Sequence, residues 1–164
     1  MIGRRDPLDN PEELVRRVYA FVAYRLGDGP DAEDVTSETF ARALRYRDSY
    51  HREKGEPIAW LIGIARRALA EHMAGPIEIQ NPEPEPVPGD PVESEEMWIE
   101  AMDLRGAVGT LELRDRELIG LRYGADLTAR QIGELLEMQT NAVEVALHRA
   151  LARLRVVMGR EDAF

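Results

Sequence analysis

Five cations fall between positions 42 and 54 of the chain: Arg42, Arg45, Arg47, Arg52 and Lys54. Tyr46, Tyr50 and His51 stand among them, and only Asp48 and Glu53 oppose, which leaves the stretch a local charge near +3. Basic groups of this kind track phosphates, while aromatic faces stack on unpaired bases at roughly 1–3 kcal/mol per stack. The mixture suits a separated strand of nucleic acid. The groups that could make or break bonds do not converge. His51, His72 and His148 fall in three different segments, none in a His-x-x-x-His spacing. Without cysteine there can be no disulfide framework, thiolate zinc site or cysteine nucleophile. Gly124-Ala125-Asp126 reads as a turn and not as a loop that cradles phosphate. The expectation is a protein that is not an enzyme and uses no cofactor and no metal.

The elements that must position the basic segment are helical. The 164 residues are 44% apolar but only 6% aromatic, enough Leu, Val, Ile and Ala for helix cores and little of the aromatic excess that strands use. The formal charge of -10 is not spread evenly: both ends are neutral, and between Arg67 and Arg105 there are ten acids and no Lys or Arg. Six of the ten prolines lie there too, and alternating Pro and Glu at 82–86 favours extended, solvated chain. The domain reading is therefore a helical module over 1–74, an acidic Pro-rich linker over 75–96 and a second helical module over 97–164. No apolar run approaches the ~18 residues of a membrane span, so no membrane insertion is expected and a cytoplasmic location follows. The use of 20 Arg against one Lys suits bidentate phosphate recognition, and a GC-rich genome gives the same bias.

Within the first module, Leu14, Val15, Val18, Phe21, Val22 and Leu26 recur at spacings of three and four, the pattern of an amphipathic helix ended by Gly27-Asp28-Gly29-Pro30. A second helix is predicted after Asp31, running through Val35, Thr39, Phe40, Ala43 and Leu44. A third starts at Pro57 and carries Ile58, Trp60, Leu61, Ile64, Ala65 and Leu69 inward, with Met73 as a candidate at the end of the stripe and Trp60 read as core. In the second module, 97–108 and 114–123 are predicted helical. Thr128 followed by Gln131 forms a capping box before Ile132, Leu135 and Leu136. A break at 137–140 precedes a longer helix striped by Val143, Leu147, Ala150, Leu151 and Leu154. That layout is a helix-turn-helix, although any αα-hairpin shows the same stripe.

These residues also carry a resemblance. Asp31-Ala32-Glu33-Asp34-Val35-Thr36-Ser37-Glu38-Thr39-Phe40, the run Gly55 to Arg66, Arg114-Asp115-Arg116-Glu117-Leu118, Leu121-Arg122-Tyr123, Leu127-Thr128 and Leu147-His148-Arg149-Ala150 are similar, in order, to the motifs of bacterial sigma factors of the extracytoplasmic-function group. The resemblance covers nearly the whole chain. It implies an all-α fold of two small domains, region two and region four, and a role in directing core RNA polymerase to promoters.

Carried onto this sequence, the resemblance assigns polymerase docking to Asp34, Glu38, Arg42 and Arg45. It assigns the minus-10 element and strand opening to Arg45, Tyr46, Arg47, Tyr50, Arg52, Lys54, Arg66 and Arg67. It assigns minus-35 contacts to Thr128, Gln131, Asn141, Glu144, His148, Arg149 and Arg153. Two departures stand out: Arg67 replaces the Asn usual after the Ala-Arg pair, and the recognition helix carries Glu144, Val145 and Ala146 where basic residues are typical. The implied partners are core polymerase, promoter DNA and an anti-sigma factor. Two alternatives stay open on the residues alone: a helix-turn-helix regulator acting without polymerase, and a sigma-like protein whose degenerate region four works through protein contacts.

Overall fold

The first three helices each begin at a proline, whose ring presets the helical φ and whose missing N–H would have had no intrahelical partner. The computed structural model describes residues 6–75, Leu104 and 106–159. Its first module comprises α1 (Pro11–Leu26), α2 (Pro30–Arg45) and α3 (Pro57–Ala74). The second helix therefore starts at Pro30, ahead of the predicted start. Short 3-10 turns at Arg47–Ser49 and Arg52–Lys54 join α2 to α3. Leu14, Val18, Phe21 and Val22 of α1 are buried as predicted, but Val15 is 42% exposed, Leu44 of α2 56% and Met73, in the last turn of α3, 45%, so none of these three belongs to the core. The predicted linker, from 76 on, and most of the helix predicted over 97–108 lie outside the described residues.

In the second module a helical turn over 106–109 precedes α4 (Leu113–Ile119), α5 (Ala129–Leu136) and α6 (Thr140–Met158). The stretch predicted as one helix to Tyr123 instead widens after Ile119 into a π turn at Gly120–Gly124, closed by Ala125 N–H donating to Gly120 C=O at 2.9 Å. The regular structure of the described residues is helical throughout.

The two modules are packed together. Val18, Phe21, Val22, Leu61 and Ile62 from the first share one buried cluster with Leu118, Leu121, Leu127, Ile132 and Val143 from the second. The π turn makes that approach possible by presenting Gly120 and Gly124 to α1. A Cβ on Gly124 would lie 2.9 Å from the Ala20 carbonyl carbon and from the Phe21 nitrogen. A smaller cluster of Ala107, Val108, Leu111, Ile119, Ala150 and Leu154 completes the second module.

Local chemistry shapes α5 and α6. Both bonds of the capping box form: Gln131 N–H donates to Thr128 Oγ1 at 3.1 Å, and Thr128 N–H donates to Gln131 Oε1 at 2.9 Å. After α5 the chain turns at Glu137, whose φ of +57° is left-handed, and Met138 N–H donates to Gly133 C=O at 2.8 Å. Gly133 is required there, since a Cβ would stand 2.6 Å from the Met138 oxygen. Losing an N-cap oxygen costs about 1 kcal/mol. Thr128→Ala should therefore lower the thermal midpoint by a few degrees, and an unshifted melt would show that α5 does not depend on its cap.

Candidate nucleic-acid interface

The end of α2 carries the charges assigned to polymerase docking. Glu38 accepts from Arg42 Nε at 2.9 Å and from Arg45 Nη2 at 3.5 Å, while Asp34 is exposed one turn earlier. Arg42 also pairs with Glu71 of α3, tying the two helices at their ends. The guanidinium beside it holds the Glu71 carboxyl below the ordinary range, so the tie persists near neutral pH and is lost as pH falls through the lowered pKa. Arg45 is left with most of its side chain, 63%, in solvent.

Beyond α2 the chain between Arg45 and Pro57 has no long helix to bury it, and Tyr46, Arg52 and Lys54 face outward. Arg47 reaches back to Asp6 at 3.4 Å. Tyr50 is the anchor of this loop: its hydroxyl donates to Gly55 C=O at 2.8 Å, and its ring lies 5.4 Å from that of Trp60, tilted by 57°. Burial pushes the Tyr50 phenol up, opposed by Arg52 and reinforced by Glu56. Trp60 packs against the core on one side and on Tyr50 on the other, so the residue read as core also supports the loop.

The α3 arginines behave differently from each other. Arg67 is exposed, whereas Arg66 Nε donates to Glu117 Oε1 of α4 at 2.6 Å in a half-buried pair. Across from the loop, α5 closes a cavity of about 250 Å³ lined by Tyr50, His51, Lys54, Trp60, Gln131 and Glu134, among others. Gln131 Nε2 donates to Glu56 Oε2 at 3.3 Å across this boundary. Thr128 is consumed by its cap.

Along α6, Asn141, Glu144, His148 and Arg149 are exposed together with Val145. Arg153 is not free with them: its Nη1 lies 2.9 Å from both oxygens of Asp115, a buried carboxylate on α4. This exposed face of α6 thus offers one carboxylate, Glu144, and one arginine, Arg149, among its forward residues, a weak attractor for phosphate.

Several structural roles were not legible in the sequence: Glu117, Asp115 and Arg17 as partners across the modules or helices, and the close approach of Gly120 and Gly124 to α1. Only the last two carried a usable signal, a small-x-x-x-small spacing that permits close approach of backbones. Arg17 donates to Ala125 C=O at 2.7 Å and to Asp126 C=O at 3.1 Å, contacts between segments more than a hundred residues apart.

Comparison with known proteins gives a consistent picture. Residues 12–75 match the family described as Sigma-70 region 2, and residues 101–154 match Sigma-70, region 4. The chain is 33% identical over 140 residues to ECF RNA polymerase sigma factor ShbA of Streptomyces griseus, covering 76% of this chain and 70% of that one. It is 32% identical over 170 residues to ECF RNA polymerase sigma factor SigD of Mycobacterium tuberculosis, covering 93% and 77%. Against ECF RNA polymerase sigma factor BldN of Streptomyces coelicolor it is 29% identical over 143 residues, 84% of this chain but about half, 54%, of the relative's length. The fold is similar to that of the sigma factor RpoE from Bartonella quintana, solved in complex with the anti-sigma factor NepR, with a TM-score of 0.69 at 18% identity over 93% of this chain and 98% of that one.

Proposed function

We infer, from a chain that belongs to the ECF group of sigma-70 RNA polymerase sigma factors, that it joins core RNA polymerase and directs it to promoters. Its work is recognition and not catalysis. The observation that carries this reading is the loop from Arg45 to Lys54: cations exposed at its rim, Tyr46 turned to solvent, and Tyr50 braced on Trp60 beside the α3 arginines. A duplex-only regulator has no use for such a loop. Phosphates of a separated minus-10 strand would lie along Arg45, Arg47, Arg52, Lys54 and Arg67, with bases against Tyr46 and Tyr50. Asp34, Glu38, Arg42 and Arg45 on α2 are the docking residues for polymerase, and the modules meet their targets through the boundaries 1–74 and 97–164. An anti-sigma protein is the expected antagonist, and the cytoplasm the expected compartment; among the described residues no helix is long and apolar enough to cross a membrane.

The α6 surface favours a second element of the reading. With Glu144 exposed and Arg153 held by Asp115, the minus-35 contact rests on Asn141, His148 and Arg149 and is weak, so promoter choice leans on the minus-10 side.

In vitro transcription with reconstituted holoenzyme tests the assignment. Arg45→Ala together with Arg47→Ala should reduce promoter opening about tenfold, the loss of two phosphate contacts at about 0.7 kcal/mol each. Comigration with core polymerase in gel filtration separates a sigma factor from a free-standing regulator. Full promoter opening by the double variant would remove the loop from the strand-binding surface.

A further inference from the structure

We propose that Val145 is a base-reading residue of α6: its methyl groups pack on the C5-methyl of a thymine in the major groove of the minus-35 element, beside a cytosine whose amino group donates to Glu144. This rests on the reading of the second module as the part that meets promoter duplex. Val145 is 50% exposed in the second turn of α6, while Val143 and Leu147, on either side of it in the chain, are buried. A β-branched side chain left in solvent on a helix is unfavourable relative to alanine and gains nothing from packing. Nothing within the chain calls for a valine there.

Its surroundings say what it meets. Asn141 lies four positions before it, His148 three after and Arg149 four after, all exposed, so hydrogen-bonding side chains ring the valine on one face of the helix. Ala142 and Ala146 beside it are short and let that face come close to a surface. One valine is far below the contiguous apolar area that marks a protein-docking patch. One methyl group, however, is what a thymine shows in the major groove, which is wide enough to admit a helix. Glu144, adjacent and exposed, is repelled by phosphate and by the N7 and O6 acceptors of guanine, whereas the cytosine amino group can donate to it. Neither contact adds attraction for phosphate, so together they set which sequence is chosen and leave the affinity of α6 low.

Holoenzyme reconstituted from core polymerase and the full chain is presented with a pool of duplexes randomised in the upstream half over a fixed A/T-rich downstream half, and the retained fraction is sequenced. The parent chain should enrich a thymine next to a cytosine at one place in the randomised half. Each thymine of the enriched duplex is then replaced in turn by deoxyuridine, which removes the C5-methyl and keeps every hydrogen-bonding group. At one position the replacement should weaken binding by the parent holoenzyme about fourfold, the effect of one buried methyl group. Binding by the Val145→Ala holoenzyme should not respond to it. Val156→Ala, the same truncation at an exposed site near the end of α6, should keep the parent's ratio. Glu144→Gln should shift the selected neighbour from cytosine to adenine, the base an amide reads. Equal binding of thymine and deoxyuridine by the parent at every position, the parent's ratio in Val145→Ala, or its loss in Val156→Ala would each overturn the assignment of Val145, and cytosine still selected by Glu144→Gln would overturn that of Glu144. An upstream half that stays random while the downstream half is still bound would overturn both and leave the strand-binding loop standing. Failure to form holoenzyme would remove the sigma reading itself, and this proposal with it.

Discussion

Phe21→Ala is expected to cost about 3–5 kcal/mol and to take the thermal midpoint down by roughly 10 °C or more. The ring is fully buried on α1 among Val18, Val22 and Leu61, and it also faces the second module, where its Cδ2 would stand 3.3 Å from a Cβ on Gly120. Truncation would leave a void bordered by α1, α3 and the π turn, three backbones that cannot all collapse into it. The neighbouring Val15, 42% exposed on the same helix, sets the scale: Val15→Ala should stay within about 0.5 kcal/mol. Paired denaturant titrations decide the matter. A Phe21→Ala loss no larger than that of Val15→Ala would mean that the two modules do not share a core.

Gly124→Ala should do something different, separating the modules while leaving each one folded. The added methyl would meet the Ala20 carbonyl carbon, the Phe21 nitrogen and the Phe21 Cα at 2.9–3.0 Å. These are backbone atoms of a helix, with no rotamer to yield, so the π turn must lift off α1. Overpacking of this kind costs about 1–3 kcal/mol. The expected result is a nearly unchanged helical circular dichroism signal, a less cooperative melt and faster proteolysis between the modules. Gly120→Ala is the milder contrast, since its methyl would lie 3.1 Å from Tyr24 Cβ, 3.3 Å from Phe21 Cδ2 and 3.4 Å from the Phe21 carbonyl oxygen, contacts relieved by a shift of a few tenths of an ångström. If Gly124→Ala melted as cooperatively as the parent chain, the packing of the π turn on α1 would not be what holds the modules together.

The cap at Thr128 and the apolar stripes of α1, α3 and α6 could be read directly from the residues because each depends on neighbours three or four positions away. The basic and aromatic segment at 42–54 was legible for a related reason. Cations and rings crowded into a short stretch with few helix-forming apolar residues must stay at the surface. Stripe membership was less secure at the edges: Val15 and Leu44 fit the period yet face solvent, because a period gives a face and not its width.

What the sequence determined by itself was the all-helical class, the proline-started helices, the capped helix-turn-helix and the positions of the basic residues along the chain. The tertiary structure alone decided which arginines are committed to partners within the chain. Arg66 is committed to Glu117 across 51 positions, Arg153 to Asp115 across 38, and Arg17 to the Ala125 carbonyl across 108. No local pattern encodes such partners, because an ion pair between distant segments is fixed by how helices pack. Here that packing turns on Gly124, whose missing side chain lets the π turn rest on the α1 backbone, and on Gly120, which leaves room for Tyr24 and Phe21.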